Sequence, residues 1–311
     1  MQNIKLTSNA KINLNLQVLG KGQNNYHFIN TLVAKLELCD AITITPNKQS
    51  ADRVVFEGDF ASNISQTNNT ATKAMELLRE RFSQMKDVFY DITITKNIPS
   101  LAGLGGGSGN GAEVYNYFAN HFGGEGELSK AQLCKIGMDC NLFGKKSTLC
   151  YAANFGDRVL HDEDFLAKED VLKLKNLLSD IDVFLFLPQN YSKASTAQSY
   201  SDLNLLNITS PPQTNYSQIL SLAIQKSKDG DDLLNFFAKN KLIDNSFFAN
   251  VKQQCLELKS LSQFLTINSI VNGLSGAGAC LFALCQSNLY ALQDFKDCTE
   301  DFKIIQTKFS I

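Results

Sequence analysis

The run Gly103-Leu-Gly-Gly-Gly-Ser-Gly-Asn110 most constrains what this chain can fold into. Upstream, Val88 to Thr95 alternates apolar and polar side chains as a strand does; downstream, Ala112, Val114, Tyr115, Phe118 and Phe122 recur at helical spacing. Five glycines within seven residues leave a backbone with few Cβ atoms, whose N–H groups can converge on one small acceptor. The run therefore predicts a strand–loop–helix unit built to hold phosphate. The helix N-terminus adds unpaired donors and a positive dipole end worth ~0.3–1 kcal/mol toward an anion.

Two familiar phosphate loops do not fit. A Walker loop ends in Gly-Lys-Ser/Thr, and no lysine lies between Lys96 and Lys130; a dinucleotide fingerprint counted from Gly103 meets Ser108 where its third glycine belongs. A flexible surface linker is the bland reading of a Gly/Ser run. Leu104 interrupts the run and a regular helix pattern follows at once, which disfavours it.

With 311 residues, 44% of them hydrophobic, the chain has enough apolar material for two cores. We expect a domain over residues 1–158 and a second over 159–311. The formal charge of −2 comes from interspersed charges with no basic stripe, so nucleic acid is not an expected partner. The first residues lack a signal-like apolar core and Val183 to Leu187 is too short to span a bilayer, which points to the cytoplasm with no membrane partner. The eight cysteines, at 39, 134, 140, 150, 255, 280, 285 and 298, show no Cys-x-x-Cys spacing, and His27, His121 and His161 are scattered. Neither a resident metal nor a disulfide is expected.

From Ile4 to Val18 apolar and polar residues alternate with one break at Ser8, predicting a half-buried strand or strand pair whose polar face carries Lys11 and Asn13. Further strands are predicted at 30–38, 41–45, 54–57 and 148–152, and helices at 70–82 and 130–138. A charged, irregular stretch is expected near 161–170. Beyond it come a strand at 182–187, helices at 216–227, 231–238 and 247–264, strands at 267–271 and 279–284, a helix near 288–297 and a strand near 302–308. Taken alone, Lys11 reads as a solvated strand residue and Asp139 as a polar residue at a helix end.

Three distant segments together carry more: Asn9-Ala-Lys-Ile-Asn-Leu-Asn15, the glycine run, and Leu274-Ser-Gly-Ala-Gly-Ala-Cys-Leu-Phe282. They resemble the three motifs of the GHMP kinase superfamily, which includes galactokinase, homoserine kinase and mevalonate kinase. With Tyr26-His27, the resemblance is to the branch whose acceptor is a cytidine-diphosphate-linked methylerythritol. It implies an α+β fold of two domains, the first like ribosomal protein S5 domain 2 and the second ferredoxin-like, with the active site in the cleft between them. It implies ATP, with Mg2+ as its complex, transfer to a hydroxyl of a small-molecule substrate, and a monomer or weak homodimer.

By matching motif positions, the resemblance makes Lys11 and Asp139 the catalytic pair. Asp139 takes the hydroxyl proton while Lys11 polarises both groups. Positioning and charge dominate phosphoryl transfer, so a weak carboxylate base suffices. Asn13, Tyr26, His27 and Tyr200 become substrate residues: Asn13 at the sugar alcohol, Tyr26 stacking on cytosine, His27 hydrogen-bonding the base edge, and Tyr200, ending the segment 195–200, covering the other face. Gly103, Gly105, Gly106, Gly107, Ser108, Gly109 and Asn110 would wrap the ATP phosphates, with the Ser108 hydroxyl free for phosphate or magnesium. Asn69, Lys96 and Pro99 flank the nucleotide, and Ser275, Gly276 and Gly278 form the C-terminal glycine turn.

The chain also departs from the pattern. Gly137-Met-Asp-Cys-Asn-Leu-Phe143 lacks the usual proline after the catalytic carboxylate, Phe28 replaces a glutamate after Tyr-His, and Gly109 and Gly111 replace Ser and Ala. Two other readings stay open: a GHMP kinase of homoserine or mevalonate type, and a nucleotide-binding relative without turnover.

Overall fold

The computed structural model describes residues 3–22, 26–62, 64–123, 127–191, 196–203, 205–210, 216–291, 293–295 and 300–311, the side chains of 127–130 excepted. Ser195 and Cys298 lie outside these residues. The chain divides into two compact units, one of Met1–Ala10, Leu38–Ser100 and Gly105–Lys146, the other of Lys11–Glu37, Leu101–Leu104 and Ser147–Ile311. Two long strands, β1 (Ile4–Lys21) and β2 (His27–Asn47), supply residues to both.

In the first unit β3 (Arg53–Glu57) runs parallel to β4 (Phe89–Thr95), and β4 pairs antiparallel with Ala41–Asn47 of β2. Among the described residues its α-helices are α1 (Thr70–Arg81), α2 (Gly106–His121) and α3 (Glu127–Ile136). The α1 helix starts where predicted because the Asn69 carboxamide oxygen accepts the Thr72 N–H at 2.9 Å, a side-chain cap on an otherwise unpaired donor. Its apolar face buries Ala71, Ala74, Met75 and Leu78, and α2 buries Val114, Tyr115 and Phe118. At Gly111 a Cβ would stand 2.6 Å from the Thr70 Cβ, so the bare backbone is what lets these helices touch.

The second unit holds β5 (Leu149–Asn154) between β6 (Arg158–His161) and residues Ile29–Ala34 of β2, with β8 (Asp244–Asn245) beside β1. It also holds a separate antiparallel sheet of β7 (Ile181–Pro188), β9 (Val271–Leu274), β10 (Leu281–Gln286) and β11 (Phe302–Lys308) in the order β11-β7-β10-β9. That is the ferredoxin-like order. Its inner face shares a core with Leu16, Val18, Phe247, Leu258, Leu261 and Leu265. The helices are α4 (Asp162–Phe165), α5 (Lys168–Ser179), α6 (Thr196–Ser201), α7 (Tyr216–Lys226), α8 (Gly230–Lys239), α9 (Phe248–Gln254) and α10 (Leu256–Ile267).

Several elements differ from expectation. The strands predicted at 30–38 and 41–45 are one, because the Asp40 carboxylate between them is buried with partners instead of breaking the ladder. The charged stretch near 161–170 is not irregular: it enters α4 and α5, and α5 buries Val171, Leu174, Leu177 and Leu178 on one face. The helix expected over 247–264 is two, divided at Cys255, whose backbone is extended. The strand placed at 267–271 begins only at Val271. There the Ile270 N–H returns to the Leu265 carbonyl, the Ser269 N–H to Thr266, and Ser269 takes a left-handed φ of 58°, a Schellman closure usually made by glycine. Of the helix expected near 288–297, the described residues 293–295 form a single 3-10 turn.

Candidate active site

Most of the glycine run is helix rather than loop. Gly105 adopts a left-handed φ of 73° as N-cap, and Gly106, Gly107, Ser108, Gly109 and Asn110 already lie in α2. No side chain caps this end, which leaves its first N–H groups to a ligand. Gly107 is exposed, and a Cβ there would meet no atom within 4 Å. By contrast, a Cβ on Gly109 would stand 2.4 Å from the Ser8 hydroxyl, so this glycine serves packing. The Ser108 hydroxyl, expected to be free for phosphate or magnesium, lies near the Cys140 thiol and favours its ionised form, against the larger effect of burial. Thr70 donates from its hydroxyl to the Gly107 carbonyl, tying α1 to the run.

Under the first turn of α2 lies a cluster that sequence reasoning missed. Asp40, 0% exposed, pairs with Lys96, accepts the N–H groups of Asn97 and Ile98 at 2.8 Å each, and accepts the Asn110 amide at 3.0 Å. The carboxylate thus holds the chain leaving β4, the buried Pro99 segment and the second turn of α2 to one point. Lys96 and Asn110 meet at this carboxylate, with the Lys96 ammonium engaged by Asp40. Asn69 likewise spends its amide locally, donating to the carbonyls of Ser65 and Gln66 at 3.0 Å.

Asp139 stands exposed in the first turn of a 3-10 helix, Met138–Phe143, after Gly137. This turn is held to α2 by the Asn116 amide, which donates to the Phe143 carbonyl at 3.1 Å. Behind it, burial and then the Asp139 charge push the Cys140 thiol up to about 12, so that sulfur stays protonated.

In the second unit the polar face of β1 is buried. Lys11 is 3% exposed, and its ammonium donates to the Asn13 carboxamide oxygen at 2.5 Å. The Asn13 amide donates to the Thr31 hydroxyl at 2.8 Å, and that hydroxyl donates to the Asn15 carbonyl at 2.6 Å. Tyr216 donates to the Asn15 side chain at 2.5 Å. Thr31 and Tyr216 carried no sequence signal, since only pairing with β1 gives them a role.

The C-terminal glycine turn lies against the same lysine. Gly103 has a φ of 81°, and a Cβ on it would sit 2.1 Å from the Ser275 carbonyl oxygen. The Ser275 hydroxyl donates to the Gly103 carbonyl at 2.9 Å, and the Asn245 amide donates to the Leu274 and Gly276 carbonyls. A Cβ on Gly278 would meet Ala102 and Gly103 at 2.7 Å, and one on Gly276 would lie 3.5 Å from the Lys11 ammonium. Only paired glycines permit this approach. The Lys11 N–H donates to the Leu104 carbonyl at 2.9 Å, completing the junction.

His27 and Tyr200 form an aromatic pair with ring centroids 4.8 Å apart, and Phe247 meets the Tyr200 ring edge-on. The His27 Nε2 is buried with no hydrogen-bond partner, and burial, helped by the Lys21 charge, holds its pKa below the usual range. Tyr26 is 55% exposed beside Phe155. The structure thus gathers Lys11, Asn13 and the glycine turn in one group, His27 and Tyr200 in another, and Lys96, Asn110 and the glycine helix in a third.

Residues 69–155 match the family of GHMP kinases N terminal domain. The chain is 27% identical over 310 residues to a protein of Clostridioides difficile named 4-diphosphocytidyl-2-C-methyl-D-erythritol kinase, covering 97% of this chain and 94% of that one. It is 29% identical to a protein of the same name from Fusobacterium nucleatum, covering 88% and 86%. Among solved structures, a 4-(cytidine 5'-diphospho)-2C-methyl-D-erythritol kinase superposes with a TM-score of 0.70 at 20% identity, covering 99% of this chain and all of that one. A homoserine kinase from Cytophaga hutchinsonii gives 0.62 at 12% identity, covering 99% and 95%. Residues 69–155 thus carry the likeness to the N-terminal domain of GHMP kinases, and nearly the whole chain is similar to proteins named as kinases of that kind. Among the described residues, no helix is long and apolar enough to cross a membrane.

Proposed function

We propose that this kinase transfers the γ-phosphate of ATP to the 2-hydroxyl of 4-diphosphocytidyl-2-C-methyl-D-erythritol, a step of non-mevalonate isoprenoid synthesis. The observation that carries the reading is likeness along nearly the whole chain to kinases bearing that name. Within the chain, the orphaned His27 Nε2 beside the Tyr200 ring supports a place for a base edge, and exposed Tyr26 is available to stack, a contact worth ~1–3 kcal/mol in single-strand binders. Homoserine and mevalonate offer no base for such a place.

In this mechanism the uncapped N–H groups of α2 and the open backbone at Gly107 receive the ATP phosphates. Asp139 accepts the proton of the attacking hydroxyl, and the Lys11 ammonium, steered by Asn13, stabilises charge spreading over the phosphoryl oxygens. Asn13 also contacts the sugar alcohol. Lys96 supports the nucleotide segment through Asp40, and Asn69 and Pro99 flank the nucleotide. Mg2+ would enter as the companion of ATP, beside the open backbone at Gly107, where the ion would neutralise phosphate charge. Residues 1–158 form the ATP-binding domain in this reading and 159–311 the second domain. The enzyme acts in the cytoplasm on a small molecule, as a monomer or weak homodimer, without nucleic acid.

An ADP-release assay across the cytidyl substrate, mevalonate, homoserine and galactose tests the proposal. Turnover confined to the cytidyl alcohol is expected. Preference for any other acceptor refutes it.

A further inference from the structure

The hydrogen-bond chain from Lys11 to Asn15 runs in one direction, from the donor-only ammonium at one end to a carbonyl acceptor at the other. Thr31 Oγ1 lies 2.6 Å from the Asn15 carbonyl oxygen, which has no proton to give, so the hydroxyl proton is committed to that bond. Toward Asn13 the same oxygen can therefore only accept. The carboxamide must turn its NH2 to Thr31, which leaves its Oδ1 facing the Lys11 ammonium at 2.5 Å. Turned the other way, the amide would set NH2 against ammonium and carbonyl against hydroxyl oxygen. Because Lys11, Asn13, Asn15 and Thr31 are all buried, such a mismatch is costly and water does not relieve it.

We propose that Thr31 is a positioning residue of the transfer reaction: its oxygen, with the proton committed to Asn15, anchors the Asn13 amide by its NH2 and thereby the place of the Lys11 ammonium. This rests on the reading above that Lys11 acts on the phosphoryl group. Thr31 touches neither substrate nor phosphate and works through Asn13. Conserving the hydroxyl conserves the effect, so Thr31→Ser retains it and Thr31→Val, of nearly the same shape, abolishes it.

The test is a kinetic cycle with labelled ATP. Thr31→Val is expected to lower kcat by roughly 10- to 100-fold, the scale of a displaced catalytic group, with the KM for ATP unchanged and Thr31→Ser near wild type. In a Lys11→Ala background the same change is expected to have no further effect. Loss by an equal factor in both backgrounds, or unaltered kcat in Thr31→Val, overturns the proposal. Should Thr31→Val not fold, Thr31→Ala enters the same cycle. Pulsed reductive methylation with peptide mass mapping gives a readout that needs no turnover: Lys11 labelling rises in Thr31→Val relative to the other lysines. Unchanged labelling also overturns the proposal. Failure of the functional reading shows separately, as a Lys11→Ala enzyme with full activity or a wild type inactive on the cytidyl alcohol.

Discussion

Asp40 and Lys96 form an ion pair sealed from solvent, 56 residues apart in sequence, at the place where β4 gives way to the glycine helix. Removing two charges from water is expensive, and the pair is tolerable because further donors serve the carboxylate: the Asn97 and Ile98 N–H groups and the Asn110 amide. The same contacts make it a clamp on the nucleotide segment.

Breaking one side should therefore cost more than losing the pair. Asp40→Ala leaves a buried ammonium unmatched and is expected to cost about 3–5 kcal/mol in urea unfolding. In Asp40→Ala with Lys96→Met the loss should be smaller than in Asp40→Ala alone. A double variant less stable than the single one would show that the carboxylate's other donors, not the ion pair, set the energy.

Two glycines of the run should respond in opposite ways. Gly103→Ala puts a Cβ 2.1 Å from the Ser275 carbonyl at a left-handed φ, so the turn must move and stability must fall. At Gly107 a Cβ meets nothing, and Ala is the better helix former, so Gly107→Ala should gain about 0.5–1 kcal/mol while raising the KM for ATP. Thermal melts with and without ATP separate these effects. An unchanged KM in Gly107→Ala would remove Gly107 from the phosphate site.

For Asp139→Asn we expect turnover to drop by roughly 10²- to 10⁴-fold, the span of a lost general base, with ATP affinity retained. The exposed carboxylate has little structural duty, so melting should hardly change. Near-normal turnover would take Asp139 out of the mechanism.

Tyr26→Ala should raise the KM for the cytidyl substrate and leave that for ATP alone. Its ring is more than half exposed, so the change removes a stacking surface without opening a core. Equal shifts in both constants would refute base stacking at this position.

His27 predicts a pH dependence. Its folded pKa lies below the usual 6.5 through burial first and the Lys21 charge second, so the unfolded chain binds this proton earlier as pH falls. The contribution of neutral His27 to stability is then full above 6.5 and declines as pH drops from there toward the lowered folded value. Urea midpoints between about pH 8 and pH 5 should fall less steeply for His27→Gln than for wild type. Parallel curves would mean that His27 is not the group responsible.

Local rules carry a good part of this protein in its sequence. The Asn69 cap, the alternation of β4, the helical spacing after the glycine run and the final strand all depend on near neighbours, and all appear where the residues place them. The motifs also singled out Lys11, Asn13 and the two glycine segments that the second unit brings together. What sequence could not decide depends on partners far along the chain. The polar face of β1 reads as solvated, yet Thr31 and Tyr216 cover it, and a period of two says nothing about what lies opposite. Asp40 reads as a strand breaker until Lys96 neutralises it and Asn110 donates to it, and Ser269 closes α10 in a conformation expected of glycine, held by the N–H groups of Ser269 and Ile270 returning to helix carbonyls. Short-range spacing selects elements; burial of a charge or an amide is decided only when the fold supplies, or withholds, its counterpart.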